Sequence, residues 1–257
     1  MDAASYDYRG MIVEYWDLLR GDTSKWSSRP YFRELIRQSG EPALDVACGT
    51  GRLLLDYAQE GIDIDGVDIS PDMIAGARAN ANKLGLHPNL YVQAMQNLDL
   101  PRRYQTIIVP SSSFLHLTNR DDMHQALRRF FAHLQPGGLL AMSLRVMDPN
   151  PVEVDWEIDA EAIRPADGAL IRRWFRCRYD VENRLQHTED RYEIIRDGRV
   201  IQSENYIASP FLTWYPCSEA LALLTESGFV DVHAHADFRL EPASDADTSY
   251  IVLGRRP

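Results

Sequence analysis

The chain has no apolar run approaching the roughly 18 to 20 residues that a bilayer-spanning helix needs, and its 257 residues include only three cysteines. Cys48, Cys177 and Cys217 are widely spaced, form no Cys-x-x-Cys pair and have no histidine at zinc-ligand spacing. No metal is expected, and buried free thiols are the simpler reading. Any Lys/Arg-rich segment is also missing. With 27 basic against 38 acidic residues the formal charge is −11, so DNA or RNA would meet net repulsion. The first twenty residues scatter Asp2, Asp7, Glu14 and Asp17 among apolar positions, which is not a signal-peptide pattern. A cytoplasmic protein with no membrane and no nucleic-acid partner is expected.

What remains is ordinary for a globular chain: 45% hydrophobic and 25% charged residues. The length suits one large α/β domain, or one domain carrying a substantial insertion. Tyr8, Ile12, Tyr15, Trp16 and Leu19 recur at helical spacing and predict an amphipathic helix. After a polar break, Pro30 suits the first turn of a second helix with Tyr31, Phe32, Leu35 and Ile36 on its apolar face and Gly40 at its end.

Short apolar runs then alternate with helical patterns. Strands are predicted over 43–47, 62–69, 90–94, 106–110 and 139–146, and helices over 52–60, 71–84 and 121–134. Ser70 can cap the second of these helices and Gly85 close it, while Pro136-Gly137-Gly138 stops the third. Such alternation implies an α/β fold with a doubly wound parallel sheet and right-handed crossovers. From about 155 to 213 the period changes to two. Ile171, Arg173, Phe175, Cys177 and Tyr179 face one way, and Arg172, Trp174, Arg176 and Arg178 the other. Asp197-Gly198 marks a hairpin, because both central turn positions need positive φ. This stretch is an antiparallel insertion. The parallel domain resumes with a helix over 218–227 ended by Gly228, then strands over 230–238 and 249–253.

Chemistry concentrates in Leu44-Asp45-Val46-Ala47-Cys48-Gly49-Thr50-Gly51, where a strand enters a glycine turn and a helix follows. Gly49 and Gly51 let the backbone turn tightly and approach a ligand without a Cβ between them. In open α/β sheets ligands bind beyond the carboxyl ends of the strands, where this turn lies. Asp68, seventeen residues after Gly51, ends the second strand and is placed to accept both hydroxyls of an adenosine ribose. Dinucleotide binders share the layout. Their third glycine, in G-x-G-x-x-G, falls here on Leu54, which favours a ligand without a pyrophosphate.

These residues resemble motif I of the class I S-adenosylmethionine-dependent methyltransferases. Asp68 matches that family's ribose-binding acid, Pro136-Gly137-Gly138 its turn before strand five, and Ser218-Glu219-Ala220-Leu221 through Gly228-Phe229 its late helix. The resemblance covers about 40–145 and 215–257. It implies a seven-stranded, mostly parallel, Rossmann-like methyltransferase sheet with an inserted antiparallel β-sheet. Residues 41–153 and 215–257 would bind S-adenosylmethionine. Helices within 1–40 would cover the site, and the insertion, 154–214, would cover the substrate or mediate oligomerisation. The insertion resembles the small-molecule branch, sugar-amine and glycine or sarcosine methyltransferases among them. The implied activity is methyl transfer to N or O of a small molecule, with a homodimer left open. A nicotinamide-dependent oxidoreductase and a non-catalytic S-adenosylmethionine-binding protein are the alternatives.

By the same resemblance Ala47, Gly49, Thr50 and Gly51 line the methionine part of the cofactor, and Arg52 meets its carboxylate. Asp68 takes the ribose, and Ile69 and Met73 pack on the adenine. Many relatives place an acid just before the Met95 position; here it is Ala94, leaving Met95 and Gln96 as substitutes. Ser112 joins the cofactor set. Tyr15 and Trp16 resemble N-terminal aromatics that cover the cofactor and meet the substrate, or are the buried stripe of their helix. His116, just past strand four, is the candidate general base and substrate ligand, because an imidazole titrates near neutrality; packing or capping is the other reading. Tyr206, Trp214 and Tyr215 either wall the acceptor pocket or fill the core. The arginines at 172, 173, 176 and 178 are expected on a solvated sheet face, with an anionic substrate or a partner subunit as the alternative.

Overall fold

Strands that are buried on both faces must pair in the middle of a sheet, and the short apolar runs do so. In the computed structural model, which describes residues 8–148 and 150–257, β1 (Ala43–Val46) lies between β2 (Ile64–Asp68) and β4 (Tyr104–Val109). β3 (Leu90–Val92) lies beyond β2, and β5 (Leu134–Arg145) beyond β4, all parallel. β11 (Ser249–Arg255) joins β5 antiparallel, and β10 (Val230–Ala236) closes that edge. The order β10-β11-β5-β4-β1-β2-β3 is the expected seven-stranded, mostly parallel sheet. Chain direction across the sheet reverses at β1, so its carboxyl end is a topological switch point.

Local signals explain the helices around it. In α3 (Ser28–Ser39) the buried side chains are Tyr31, Phe32, Leu35 and Ile36, with Ser28. α4 (Leu54–Gln59) follows the glycine turn. Ser70 Oγ accepts from the Met73 N–H at 3.1 Å and starts α5 (Pro71–Lys83), with Pro71 at the position where a missing N–H does no harm. α6 (Arg120–His133) buries Met123, Ala126, Leu127 and Phe130 at helical spacing. His133 ends it: Nε2 accepts from the Leu100 N–H at 3.0 Å, which fixes the proton on Nδ1, 2.8 Å from the Arg129 carbonyl. α7 (Cys217–Glu226) is the late helix, and Gly228 follows it at φ 90°.

Residues divide into two compact units. One takes the described residues up to Ser24 with 150–213; the other takes 25–148 and 214–257, the seven-stranded sheet and its helices. The division cuts the 1–40 segment between Ser24 and Lys25. In the first unit β6 (Val154–Ile163), β7 (Leu170–Asp180), β8 (Leu185–Arg196) and β9 (Arg199–Thr213) form an antiparallel meander. Asp197 at φ 50° and Gly198 at φ 71° make the expected β8–β9 turn. Met11, Ile12 and Tyr15 pack on Ala169, Ile171, Tyr192 and Ile194 of this sheet. The single N-terminal helix expected from periodicity is broken at Tyr15, at φ −108° and ψ 7°, into α1 (Met11–Glu14) and α2 (Trp16–Arg20). Glu204 Oε2 accepts the Met11 N–H at 3.1 Å, so the sheet caps the first piece.

Pro136-Gly137-Gly138 also departs from expectation. It lies inside β5 at a register shift against β4, and α6 has already ended. The C-terminal strand holds it, through Gly137 N–H to the Arg256 carbonyl and Arg256 N–H to that of Gly138.

The Leu54 position has a packing consequence. A Cβ on Gly66 of β2 would lie 2.9 Å from Leu54 Cδ2, Cys48 Sγ and Leu90 Cδ2. Close helix–strand packing is therefore obtained by a glycine on the strand rather than on the helix. Gly66→Ala is expected to lower unfolding stability by about 1–3 kcal/mol through overpacking, read by urea denaturation. Unchanged stability would show that Leu54 and Cys48 yield freely.

Candidate active site

The glycine turn is held open by left-handed backbone at Ala47 (φ 58°), Gly49 (φ 57°) and Gly51 (φ 93°). Ala47 is the costly member, since its Cβ disfavours that region. A Cβ at Gly51 would stand 2.8 Å from Leu55 Cγ, so α4 begins directly over it. The turn is anchored by the neighbouring strand. Asp68 Oδ2 accepts the Gly49 N–H at 2.9 Å and Oδ1 accepts the Ser70 N–H at 2.9 Å. Burial pushes the Asp68 pKa up, and these backbone donors pull against that shift. Each oxygen keeps a further lone pair for a ligand hydroxyl. Gly49 and Asp68, linked in the sequence only by spacing, are thus in direct contact.

Asp45, in Leu44-Asp45-Val46 and without an expected role, belongs to β1. It is 1% exposed, and its Oδ1 has no hydrogen-bond partner among the described residues. Desolvation, reinforced by the Asp68 charge and opposed by Arg52 and the Leu54 N–H, pushes its pKa up to about 7. Buried Asp65, on the adjacent strand, is by contrast satisfied: Asn89 Nδ2 and the Tyr104 hydroxyl each donate to it at 2.9 Å. A charged residue within a four-residue strand buried throughout was the available signal.

Arg52 is placed by residues that pattern reasoning did not single out. Its guanidinium donates to Ser28 Oγ and Ser111 Oγ, both at 3.3 Å, and lies 5.0 Å from the Trp26 ring centroid. Burial lowers its pKa, and the Asp45 charge restores part of it. Ser111 and Ser112 are both left-handed at φ 57°. Ser143 Oγ, on β5, accepts the Ser112 N–H at 3.0 Å and holds that strained turn. A 3-10 turn, Ser113–His116, follows and leaves His116 half-buried.

Other expected residues sit at the strand ends of the same unit. Thr50 is buried, with its carbonyl accepting from Asn80 Nδ2 at 3.2 Å. Ile69 is exposed, whereas Met73 is buried within the fold. Ala94 precedes a 3-10 turn, Met95–Asn97, in which Met95 and Gln96 are half-buried. Trp214 is buried. Tyr15, Trp16 and Tyr206 belong to the other unit. There Tyr15 is 2.6 Å from both Glu14 Oε1 and Arg164 Nη1, Trp16 stacks edge-on to Tyr8 at 5.1 Å, and the Tyr206 hydroxyl bonds to Glu204 and the Arg9 carbonyl. Three of the four insertion arginines singled out are in ion pairs: Arg172 with Glu161, Arg173 with Asp159 and Asp190, Arg176 with Glu189.

Residues 43–138, from the start of β1 into β5, match the methyltransferase domain family. The segment is a methyltransferase domain. Its cofactor is S-adenosylmethionine. Among curated relatives, a glycine/sarcosine N-methyltransferase of Halorhodospira halochloris is 27% identical over 267 residues, covering 98% of this chain and 89% of that one. A dTDP-3-amino-3,6-dideoxy-alpha-D-glucopyranose N,N-dimethyltransferase of Streptomyces fradiae is 34% identical over 145 residues, 53% of this chain and 54% of that one. Among solved structures, the CcbJ methyltransferase from Streptomyces caelestis shares the fold with a TM-score of 0.76 at 18% identity, covering 100% of this chain and 99% of that one. The nicotinamide alternative falls with the family match, in keeping with Leu54 at the third-glycine position.

The methyltransferase domain fits its cofactor on the unpartnered buried oxygen of Asp45. A carboxylate so placed favours a cationic ligand group, and Asp68 keeps acceptor capacity for a diol. Asp45 also predicts a pH dependence. Its folded pKa of about 7 exceeds the ordinary 3.8, so the folded state holds its proton longer and stability falls as pH rises from about 4 to 7. Asp45→Asn removes that fall. Without cofactor, the variant's stability advantage should grow by about 2–3 kcal/mol between pH 5 and pH 8, read by urea denaturation. A gap independent of pH would contradict the buried charge.

Proposed function

We propose that this methyltransferase acts on the nitrogen of a small amine. The observation that carries the cofactor assignment is the Asp68 carboxylate locked to the glycine turn with acceptor capacity left over. Asp68 takes the ribose hydroxyls. Asp45, with its unpartnered oxygen, takes the cofactor's ammonium, and Arg52 its carboxylate. Ala47, Gly49, Thr50 and Gly51 supply backbone close to the methionine part. Ile69, Met73, Met95 and Gln96 surround the adenine, and Ser112 completes the set. When bound, the cofactor supplies a methyl group on a positively charged sulfur.

The protein's own task is to align the acceptor and to take a proton from it. Alignment alone supplies a large share of the acceleration in reactions of this kind. His116, half-buried on the turn held by Ser143, is the base that receives the amine proton. Nitrogen is favoured over oxygen because the curated relatives named above are N-methyltransferases. A nucleic-acid acceptor is disfavoured by the net charge of −11.

Asp68→Ala should weaken S-adenosylmethionine binding at least tenfold by titration calorimetry; an unchanged dissociation constant would remove Asp68 from the site. His116→Ala should lower turnover by about a hundredfold or more, measured on a small-amine panel by mass spectrometry, while cofactor affinity stays within threefold. Turnover at the unsubstituted rate would dismiss His116 as the base.

A further inference from the structure

Arg52 differs from neighbouring arginines of its unit in what holds it. Arg29 pairs with Asp56, and Arg33 and Arg37 share Glu60. Arg52 forms no ion pair among the described residues, and its partners are neutral. They are the Ser28 hydroxyl at the start of α3, the Ser111 hydroxyl after β4, and the Trp26 ring. At 5.0 Å from the ring centroid the guanidinium is within the range where an indole face attracts a cation. A carboxylate could fix the side chain as well, but it would cancel the charge. Neutral partners fix it and leave the charge to act on a ligand. Nη1 and Nη2 each give one N–H to a serine, which leaves others of the five for an anion. The Asp45 charge reaches Arg52 from beyond ion-pair distance. A separated carboxylate and guanidinium match the ammonium and carboxylate of an α-amino acid.

We propose that Trp26 is a positioning residue for the cofactor's amino-acid end. It holds the Arg52 guanidinium ready for the carboxylate, and so makes the site select a ligand that keeps this end over the same thionucleoside without it. The proposal rests on the assignment of that carboxylate to Arg52. An arginine side chain loses rotamer freedom when it binds, and holding it beforehand raises affinity by reducing that loss. Trp26 suits this task better than the two serines do. Their bonds, at 3.3 Å to neutral hydroxyls, are long and yield to a carboxylate, which forms shorter and stronger ones. The ring attracts the cation without consuming an N–H, so its contact persists when the carboxylate arrives. Trp26 is 43% exposed, so core packing alone does not account for an indole there.

Titration calorimetry with S-adenosylhomocysteine and with 5′-methylthioadenosine, which lacks both the carboxylate and the ammonium, tests this. Trp26→Leu keeps apolar bulk and removes the aromatic face. It should weaken S-adenosylhomocysteine about fivefold and leave 5′-methylthioadenosine within about twofold. Trp26→Phe should restore most of the loss. In an Arg52→Ala background, Trp26→Leu should have no further effect on S-adenosylhomocysteine. Equal weakening of both ligands, no weakening of either, or a full effect without Arg52 overturns the proposal. Arg52→Ala alone tests the underlying assignment. Unchanged S-adenosylhomocysteine affinity there removes Arg52 from the carboxylate, and the role of Trp26 with it. A loss of about tenfold or more, with Trp26→Leu silent, overturns the role of Trp26 alone. Should 5′-methylthioadenosine bind too weakly to titrate, the comparison of Trp26→Leu with and without Arg52 decides. Should Trp26→Leu lose the folded circular dichroism spectrum, Trp26→Met takes its place.

Discussion

A single hydrogen bond joins the glycine turn after β1 to the tip of β2: the Gly49 N–H to the Asp68 carboxylate at 2.9 Å. The backbone of the turn and the acid beside it therefore cannot move independently. Gly49 can offer its N–H there because Ala47, Gly49 and Gly51 all adopt left-handed backbone. The Ser70 N–H takes the other oxygen, and the same serine caps α5. Strand tip, turn and helix start form one preorganised unit.

Around that unit the protein tolerates electrostatic and backbone cost. Asp45 keeps an unpartnered oxygen in a fully buried strand, while Asp65 next door receives two donors of its own. Two consecutive left-handed serines, held by Ser143, carry the turn to His116. Strain of this kind persists where the surrounding structure over-determines it. Rigid β5 and the buried Ser143 do so here.

Much of this was legible because it rests on local rules. Period-3.6 stripes in α3 and α6, the Ser70 cap, the Asp197-Gly198 turn and the strand–turn–helix around Gly49 each have a short-range cause. What was hidden is long-range. The break at Tyr15 comes from packing on a sheet more than a hundred residues away, with Glu204 capping Met11. Pro136-Gly137-Gly138 stays within a strand because Arg256 supplies the backbone partners. Arginines 172, 173 and 176 of β7 find Glu161, Asp190 and Glu189 only on the facing strands. Asp45 was visible as a residue and silent as a role, since pattern alone does not reveal which buried carboxylate lacks a partner.

The most direct measurement is a crystal structure of the chain with the demethylated cofactor, S-adenosylhomocysteine. The account predicts the ribose hydroxyls within hydrogen-bond distance of Asp68, with the Gly49–Asp68 bond intact. A cofactor bound with its ribose away from Asp68, or a turn released from that carboxylate on binding, would contradict it.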